Sequence, residues 1–190
     1  MTWEEYLQNL DATELSSKDK AFLEGVFNFA EKIHENESRL SGESYITHPI
    51  AVSLKLLELK LDPASLAAGL LHDAVERDSE ALKHIRKNFG EEVAFLVDGV
   101  TKVDKVHASG AERVLESVRK MFLAVAEDIR VVIIKLMDRL HNMETLKWLP
   151  EEKQERMARE TLTLYASLAE RLGMWNVKAR LEDLAFERRI

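Results

Sequence analysis

The sequence predicts an all-helical domain of roughly nine or ten helices, and three observations support this fold class. Apolar residues recur at helical spacing along most of the chain. No segment shows the sustained apolar–polar alternation, bounded by turn signals, that a half-buried strand requires. Glycine and proline are few, and they fall near the expected helix ends. One domain spanning residues 1–190 is expected, because a chain of this length suits a single core.

The first half of the chain carries clear helix starts and stops. An early helix is indicated by apolar residues that share one face, namely Phe22, Val26, Phe29, Ala30 and Ile33. Two further helices are predicted to begin with a cap followed by proline, at His48-Pro49 and at Asp62-Pro63. The second of these helices delivers His72-Asp73 near its C-terminal end. Gly90 and Gly173 stand where helices are expected to stop.

The run Val131–Met137 is apolar enough to be read as a buried strand. A helix explains more of the sequence, because one stripe at helical spacing continues through the polar residues that follow, toward Pro150. The stripe consists of Val132, Leu136, Leu140, Met143 and Leu146. We therefore predict one long central helix with Asp138 in its middle. Farther upstream, the polar stretch Lys102–Arg113 is predicted to be a surface loop, and a lid over a site is the alternative.

Composition excludes several classes of function. The formal net charge is -7, which argues against a general nucleic-acid-binding protein. The chain has no cysteine, so disulfides and thiolate sites are excluded, and a reducing cytoplasmic location is compatible with this. The acidic N-terminal sequence lacks the pattern of a signal peptide, and no stretch of 18 apolar residues predicts a membrane span.

Four side chains form the candidate metal site, and they are His48, His72, Asp73 and Asp138. Two imidazoles and two carboxylates can hold a divalent cation and leave positions open for water and a phosphate oxygen. Adjacent His72 and Asp73 can both be ligands only where their helix ends or loosens. Asp138 lies in the most apolar part of the chain, where an unpaired carboxylate would cost several kcal/mol. Metal-assisted phosphoester hydrolysis is the hypothesis, and a structural ion-pair network is the alternative.

The sequence around these residues resembles the hydrolase domain of the RelA/SpoT family, the HD-type enzymes that turn over the alarmone (p)ppGpp. The resemblance extends from about Phe22 to Phe186. It is carried, in the family's order, by the stretches RLSGESYITHP, DPASLAAGLLHDAVE, FGEEVAFLVDGVTKV, RKMFLAVAEDIRVVIIKLMDRLHNM and RLGMWNVKARLEDLAF.

This resemblance implies an HD-domain fold and removal of the 3′-pyrophosphate from guanosine tetra- or pentaphosphate. It implies that the four ligand residues bind one divalent ion, usually Mn²⁺. Glu76 matches the acid that orients or deprotonates the attacking water. The positions expected to contact the nucleotide are Arg39, Ser41, Asn142 and Thr145.

The chain departs from the family pattern at three positions. The family usually has a second acid after Glu76, where this chain has Arg77, and an arginine where it has Glu144. The third departure is Leu40, which stands where the family often has a basic residue after the arginine that matches Arg39. We expect Arg77 and Glu144 to face each other across the cleft as an inverted pair.

These departures keep two alternatives open. One is hydrolysis of another nucleotide or phosphate ester, and the other is a catalytically impaired regulatory pseudo-hydrolase. The sequence ends without a synthetase domain, which suggests a small alarmone hydrolase or a fragment of a longer protein. A homo-oligomer is left open.

Overall fold

The computed structural model describes residues 2–104 and 110–187, and it is all-helical over these residues. The helices, in chain order, are α1 (Trp3–Asp11), α2 (Ser17–Ile33), α3 (Thr47–Glu58), α4 (Pro63–Leu71), α5 (Ala74–Arg77), α6 (Ala81–Phe89), α7 (Glu91–Asp104), α8 (Gly110–Glu127), α9 (Ile129–Glu144), α10 (Glu151–Glu160), α11 (Ala166–Arg171) and α12 (Trp175–Phe186). A 3₁₀ turn covers Leu146–Trp148, and a π-turn, Thr161–Tyr165, joins α10 to α11.

The predicted fold class is confirmed. Helix α5 is a single turn, and α10 and α11 are two halves of one helix joined by the π-turn, so ten longer helices remain among the described residues. That number agrees with the nine or ten that the sequence predicts. Within the described ranges, the one β-type contact is an isolated antiparallel bridge between Ser38 and Ser44.

Helix α4 lies at the centre of the fold, against α2, α3, α7 and α9. Its start is fixed as predicted: Pro63 occupies the first turn, and Asp62 accepts hydrogen bonds from the Ser65 amide at 3.0 Å and the Ser65 hydroxyl at 2.8 Å. Every residue from Ser65 to Leu71 is buried. A helix buried on all sides holds its C-terminal end in place, and that end carries His72.

Helix α9 is the second central element, and it packs against α3, α7, α8 and α12. Asp128 caps it by accepting from the Arg130 amide at 2.9 Å. The apolar run Val131–Met137 is helical, as predicted, and Asp138 lies in the middle of the helix at 4% exposure. Gly90 and Gly173 follow α6 and α11 with φ of 97° and 72°, a backbone region that glycine enters without strain.

Two local predictions need correction. Helix α3 begins at Thr47 after Ile46, which makes no side-chain capping bond, so His48 lies in the first turn and is not the cap. An imidazole inside the turn still projects toward the interior. The stretch Lys102–Arg113 was expected to be a loop, but α7 continues to Asp104 and α8 begins at Gly110. The remaining part of that prediction, with the proposed lid, falls on residues 105–109, outside the described residues.

Helices α3 and α4 approach closely at Gly69. A Cβ atom at this position would stand 2.6 Å from Leu56 Cδ1 and 3.3 Å from the Cα of Ser53. Beside this contact, the Ser53 hydroxyl lies 2.7 Å from the Tyr6 hydroxyl and donates to the Leu66 carbonyl at 3.0 Å. The glycine therefore lets α1, α3 and α4 share one tightly packed junction. None of the helices in residues 2–104 and 110–187 combines the length and the hydrophobicity that a membrane span needs.

We predict opposite effects for alanine at two helical glycines. Gly69→Ala should lower the free energy of unfolding by about 1–2 kcal/mol, because overpacking exceeds the gain in helix propensity. Gly25→Ala on α2 is the matched control, since its Cβ would meet only Phe89 Cε1 at 3.8 Å. It should raise the free energy of unfolding by about 0.5–1 kcal/mol. Denaturant titration followed by circular dichroism measures both, and equal shifts would contradict the packing argument.

Candidate metal centre and cleft

The candidate metal centre is built by three separate parts of the chain. Helix α4 ends at Leu71, His72 follows as its C-cap, and Asp73 precedes the short helix α5. This break is the loosening that the adjacent pair requires, because two neighbours inside a regular helix point in different directions. His48 comes from the first turn of α3 and Asp138 from the middle of α9. Ligand atoms of His48, His72 and Asp138 thereby lie within 4.8 Å of one another, and Asp73 lies beside both imidazoles.

The ligand atoms lie at the separations expected around one ion. The Nε2 atom of His48 is 3.2 Å from Nε2 of His72 and 3.2 Å from Oδ1 of Asp138. The Nε2 atom of His72 is 3.2 Å from Oδ1 of Asp73 and 3.7 Å from Oδ1 of Asp138. With metal–ligand bonds of about 2.1 Å, neighbouring ligand atoms stand roughly 3.0–3.4 Å apart in octahedral or tetrahedral geometry.

The outer ring nitrogens already have partners of their own. The His72 Nδ1 atom lies 2.8 Å from the Gly69 carbonyl oxygen, which can only accept, so Nδ1 carries a proton. The Nδ1 atom of His48 lies 2.7 Å from Nδ1 of His141. Burial, with the charges of His48, Arg39 and Lys55, lowers the pKa of His141 to about 3, so a neutral His141 can accept from His48. In the neutral rings, both Nε2 lone pairs then face the carboxylates.

The charges and donor atoms of these four side chains suit a divalent cation. Two unprotonated nitrogens and two carboxylate oxygens pointing at one place would repel one another without a positive charge between them. His48, His72 and Asp138 are each buried. Nitrogen and oxygen donors of this kind suit Mn²⁺ and related divalent ions. The residues present therefore fit a divalent metal ion, as the family resemblance implies.

Both carboxylates of the metal centre accept hydrogen bonds from side chains around it. Asp138 Oδ1 accepts from the Asn142 amide at 2.6 Å, and its Oδ2 accepts from Lys135 Nζ at 2.5 Å. Burial alone would raise the pKa of Asp138, but Lys135 and the two imidazoles outweigh it and hold that pKa well below its usual value. The buried carboxylate thus has a cationic partner, as its position in the sequence requires. Arg139 points away, over the Tyr165 ring, as expected for the next residue in the helix.

Tyr45 also contacts the metal centre, and the sequence analysis gave this residue no role. Its hydroxyl donates to Asp73 Oδ2 at 2.7 Å, which leaves Oδ1 directed at His72. Burial and the neighbouring Asp73 raise the pKa of Tyr45, so the hydroxyl keeps its proton. The available signal was its spacing, three residues before His48 at the entry to α3. His141, near the end of α9, also contacts the centre directly, through His48.

A cleft of about 540 Å³ opens over the metal centre. Every residue predicted to bind the nucleotide lines it, together with three of the four ligands; this lining includes Arg39, Ser41, Asn142, Thr145, His48, Asp73 and Asp138. His72 lies behind these residues at 2% exposure. Glu76, the predicted catalytic acid, also lines the cleft. Sequence reasoning missed the apolar wall formed by Leu40, Trp148, Leu149 and Met157.

The loop before α3 presents Arg39 to this cleft. The Ser38–Ser44 bridge closes the loop, and the Arg39 amide donates to the Glu43 carbonyl at 2.8 Å. The Nη2 atom of Arg39 donates to the Thr145 hydroxyl at 3.0 Å, whereas Nη1 is buried without a hydrogen-bond partner among the described residues. A buried donor without a partner is costly, so this group is suited to an incoming oxygen or ring.

The predicted pairing of Arg77 with Glu144 is wrong, because the structure gives each charge other partners. Arg77 Nε lies 3.3 Å from Glu37 Oε2, and its guanidinium lies over the Tyr45 ring. Glu144 pairs with Lys55 at 2.7 Å and with Arg180. Glu144 therefore links α3, α9 and α12, and neither residue belongs to the lining of the cleft.

Comparison with known proteins shows the family. Residues 27–175 match the HD domain family. A GTP pyrophosphokinase of Streptomyces coelicolor is 55% identical over 164 residues, 86% of this chain and 19% of the relative. The bifunctional (p)ppGpp synthase/hydrolase SpoT of Escherichia coli K12 is 45% identical over 184 residues, 96% of this chain and 26% of SpoT. A probable guanosine-3′,5′-bis(diphosphate) 3′-pyrophosphohydrolase of Synechocystis is 52% identical over 163 residues, 85% of this chain and 21% of the relative.

The chain spans only a fifth to a quarter of the length of these relatives. A solved structure of a metazoan orthologue of SpoT, described as hydrolysing ppGpp, matches over 93% of this chain and 96% of its own. The TM-score is 0.62 and the identity 27%. From the family match and from these relatives, the chain belongs to the HD-domain family and is a relative of the RelA/SpoT enzymes.

Proposed function

We propose that this protein removes the 3′-pyrophosphate from (p)ppGpp, giving GDP or GTP and pyrophosphate, with Mn²⁺ as its metal. One observation supports this most strongly: His48, His72, Asp73 and Asp138 converge at ligand-to-ligand distances of 3.2–3.7 Å beneath the cleft. The relatives named as guanosine-3′,5′-bis(diphosphate) 3′-pyrophosphohydrolases, one of them 52% identical, supply the substrate class.

Different residues of the cleft have different roles in the proposed hydrolysis. Bound at the four ligands, Mn²⁺ would polarise a phosphate oxygen and lower the pKa of a coordinated water. Glu76 is the third carboxylate of the cleft lining, and Asp73 and Asp138 face the imidazoles. We assign to Glu76 the acceptance of the proton from the attacking water.

Substrate binding falls to the loop before α3 and to the end of α9. The planar guanidinium of Arg39, with Nη1 unpaired, can stack on the guanine or bind an oxygen of the nucleotide. Thr145 holds that guanidinium by accepting a hydrogen bond from Nη2. Ser41 and Asn142 add hydrogen-bonding groups to the lining, and Trp148 supplies an apolar face.

Two other functions compete with this one, and Arg77 motivates both. The family's second acid is absent at this position, which favours either a different phosphate ester as substrate or a pseudo-hydrolase that binds nucleotide without turnover. The geometry favours retained chemistry, because Arg77 is directed to Glu37 and Tyr45 and does not line the cleft, whereas Glu76 does. The single-domain assignment, a cytoplasmic location and a homo-oligomer stay predictions.

The main prediction concerns the complete reaction. The protein incubated with ppGpp and Mn²⁺ should release pyrophosphate and GDP, and a chelator should abolish the release until Mn²⁺ is added back. Nucleotide chromatography with a substrate panel measures the products, and Asp73→Ala is the control for background hydrolysis. Cleavage of another ester without ppGpp cleavage would favour the first alternative. Nucleotide binding with no turnover above the control would favour the pseudo-hydrolase.

Glu76→Gln should separate catalysis from metal binding. The amide keeps the size of the side chain but cannot accept the water proton, so kcat should fall by roughly 10²–10⁴-fold. The Mn²⁺ affinity should stay within about twofold, because Glu76 is not among the four ligands. Isothermal titration with Mn²⁺ and steady-state kinetics test the two parts separately. A variant with unchanged kcat would remove Glu76 from the mechanism.

Metal binding should compete with a proton on His72. Burial lowers the pKa of this imidazole, but Asp73 and Asp138 outweigh burial and raise it to about 9 in the metal-free protein. The ring is therefore protonated below pH 9, and a ligand must be neutral. Mn²⁺ affinity should rise with pH, approaching tenfold per pH unit below 9, and then level off. Titrations with Mn²⁺ between pH 6.5 and 8.5 in two buffers test this, and a pH-independent affinity would refute it.

A further inference from the structure

The Tyr45 ring lies in contact with two cationic or polar side chains, and its hydroxyl reaches the metal centre. The imidazole of His34 stacks on the ring at a centroid distance of 4.7 Å and an interplanar angle of 26°. The guanidinium carbon of Arg77 lies 4.7 Å from the ring centroid. The Tyr45 hydroxyl donates to Asp73 Oδ2 at 2.7 Å. Asp73 is thereby connected to side chains outside the cleft.

Glu37 joins the two groups that contact the ring. Its Oε2 atom lies 3.3 Å from Arg77 Nε and 3.3 Å from His34 Nδ1. Arg77 comes from α5 and Glu37 from the turn after α2, so the contacts cross between two parts of the chain. We name Glu37, Arg77 and Tyr45 the tyrosine clamp. His34 is buried beneath it at 2% exposure.

We propose that Arg77 is a positioning residue for the metal centre: it fixes the Tyr45 ring, and the Tyr45 hydroxyl holds Asp73 in place as a ligand. The proposal rests on the metal site of the proposed function. Arg77 stands where the family usually has an acid, so the role belongs to this chain. It explains why a cation is tolerated four residues after Asp73, since the cation acts through the ring and outside the cleft.

The physical basis is the ordering of a ligand by groups behind it. A hydrogen bond to the second carboxylate oxygen restricts the rotation of Asp73, and losing such a contact commonly lowers metal affinity by about 10–100-fold. A guanidinium over an aromatic ring is attracted to the face of that ring. The pair with Glu37 keeps the guanidinium from leaving the ring for solvent. Arg77 thus affects the ion without touching it.

The test is a double-mutant cycle on Mn²⁺ affinity, measured by isothermal titration without nucleotide. Tyr45→Phe should weaken Mn²⁺ binding by about 10–100-fold, and Arg77→Met by up to about tenfold. If Arg77 acts through the tyrosine hydroxyl, Arg77→Met should change affinity by less than about twofold in the Tyr45→Phe background. Arg77→Lys, which keeps a cation near the ring, should recover part of the loss.

Controls separate this role from a general loss of structure. Arg86→Met on α6 removes an exposed arginine that pairs with Glu91 at 2.7 Å and does not line the cleft, and it should leave Mn²⁺ affinity unchanged. Thermal unfolding in EDTA reports whether each variant is folded. Because Arg77 is exposed, its substitutions are expected to fold even if Tyr45→Phe does not. In that case Glu37→Gln replaces Tyr45→Phe in the cycle and should likewise abolish the effect of Arg77→Met.

Two outcomes would overturn the proposal. One is that Arg77→Met leaves the Mn²⁺ affinity unchanged. The other is that Arg77→Met lowers the Mn²⁺ affinity equally in the wild-type protein and in the Tyr45→Phe variant. A wild-type protein that binds Mn²⁺ but releases no pyrophosphate from ppGpp would refute the proposed hydrolase while the cycle still decides the role of Arg77. A wild-type protein that binds no Mn²⁺ would reject both.

Discussion

The structure depends on how four electron-rich side chains are kept in one buried place. At the junction of α3, α4 and α9, two imidazoles lie 3.2 Å from each other and 3.2–3.7 Å from the carboxylate oxygens of Asp73 and Asp138. Such a group is stable only when positive charge lies near it. Lys135 supplies one charge to Asp138, a proton on His72 supplies another, and a divalent ion would replace the proton. The surrounding fold directs the outer atom of each group away from the centre, toward Gly69, His141, Lys135 or Tyr45.

The central elements could be predicted because their determinants are local. Asp62 and Pro63 fix the start of α4 by capping and by backbone geometry, whatever the rest of the chain does. The periodicity around Val131–Met137 fixed the choice of helix over strand, since the apolar stripe continues past the run. The chemistry of the residues left a metal site and an ion-pair network open, because a carboxylate in an apolar helix needs a positive partner and Lys135 supplies one. The full ligand set came from the family resemblance and stays a prediction.

The remaining features depend on contacts between distant parts of the chain. The charge exchange at Arg77 and Glu144 suggested a pair, but Glu37 and Lys55 lie nearer to them in the fold, and sequence spacing gives no measure of that. The role of Tyr45 was hidden for the same reason, because its partner Asp73 is 28 residues away. The start of α3 was misplaced because Ile46 makes no side-chain cap that a sequence pattern could show.

The wide separation of the ligands along the chain has a consequence for the life of the protein. His48 and Asp138 come from opposite halves of the sequence, so an unfolded chain offers an ion no comparable site. By mass action, metal at 100 times its dissociation constant would stabilise the native state by about 2.7 kcal/mol. Resistance to heat and to proteases would then follow the supply of the free divalent ion in the surrounding medium.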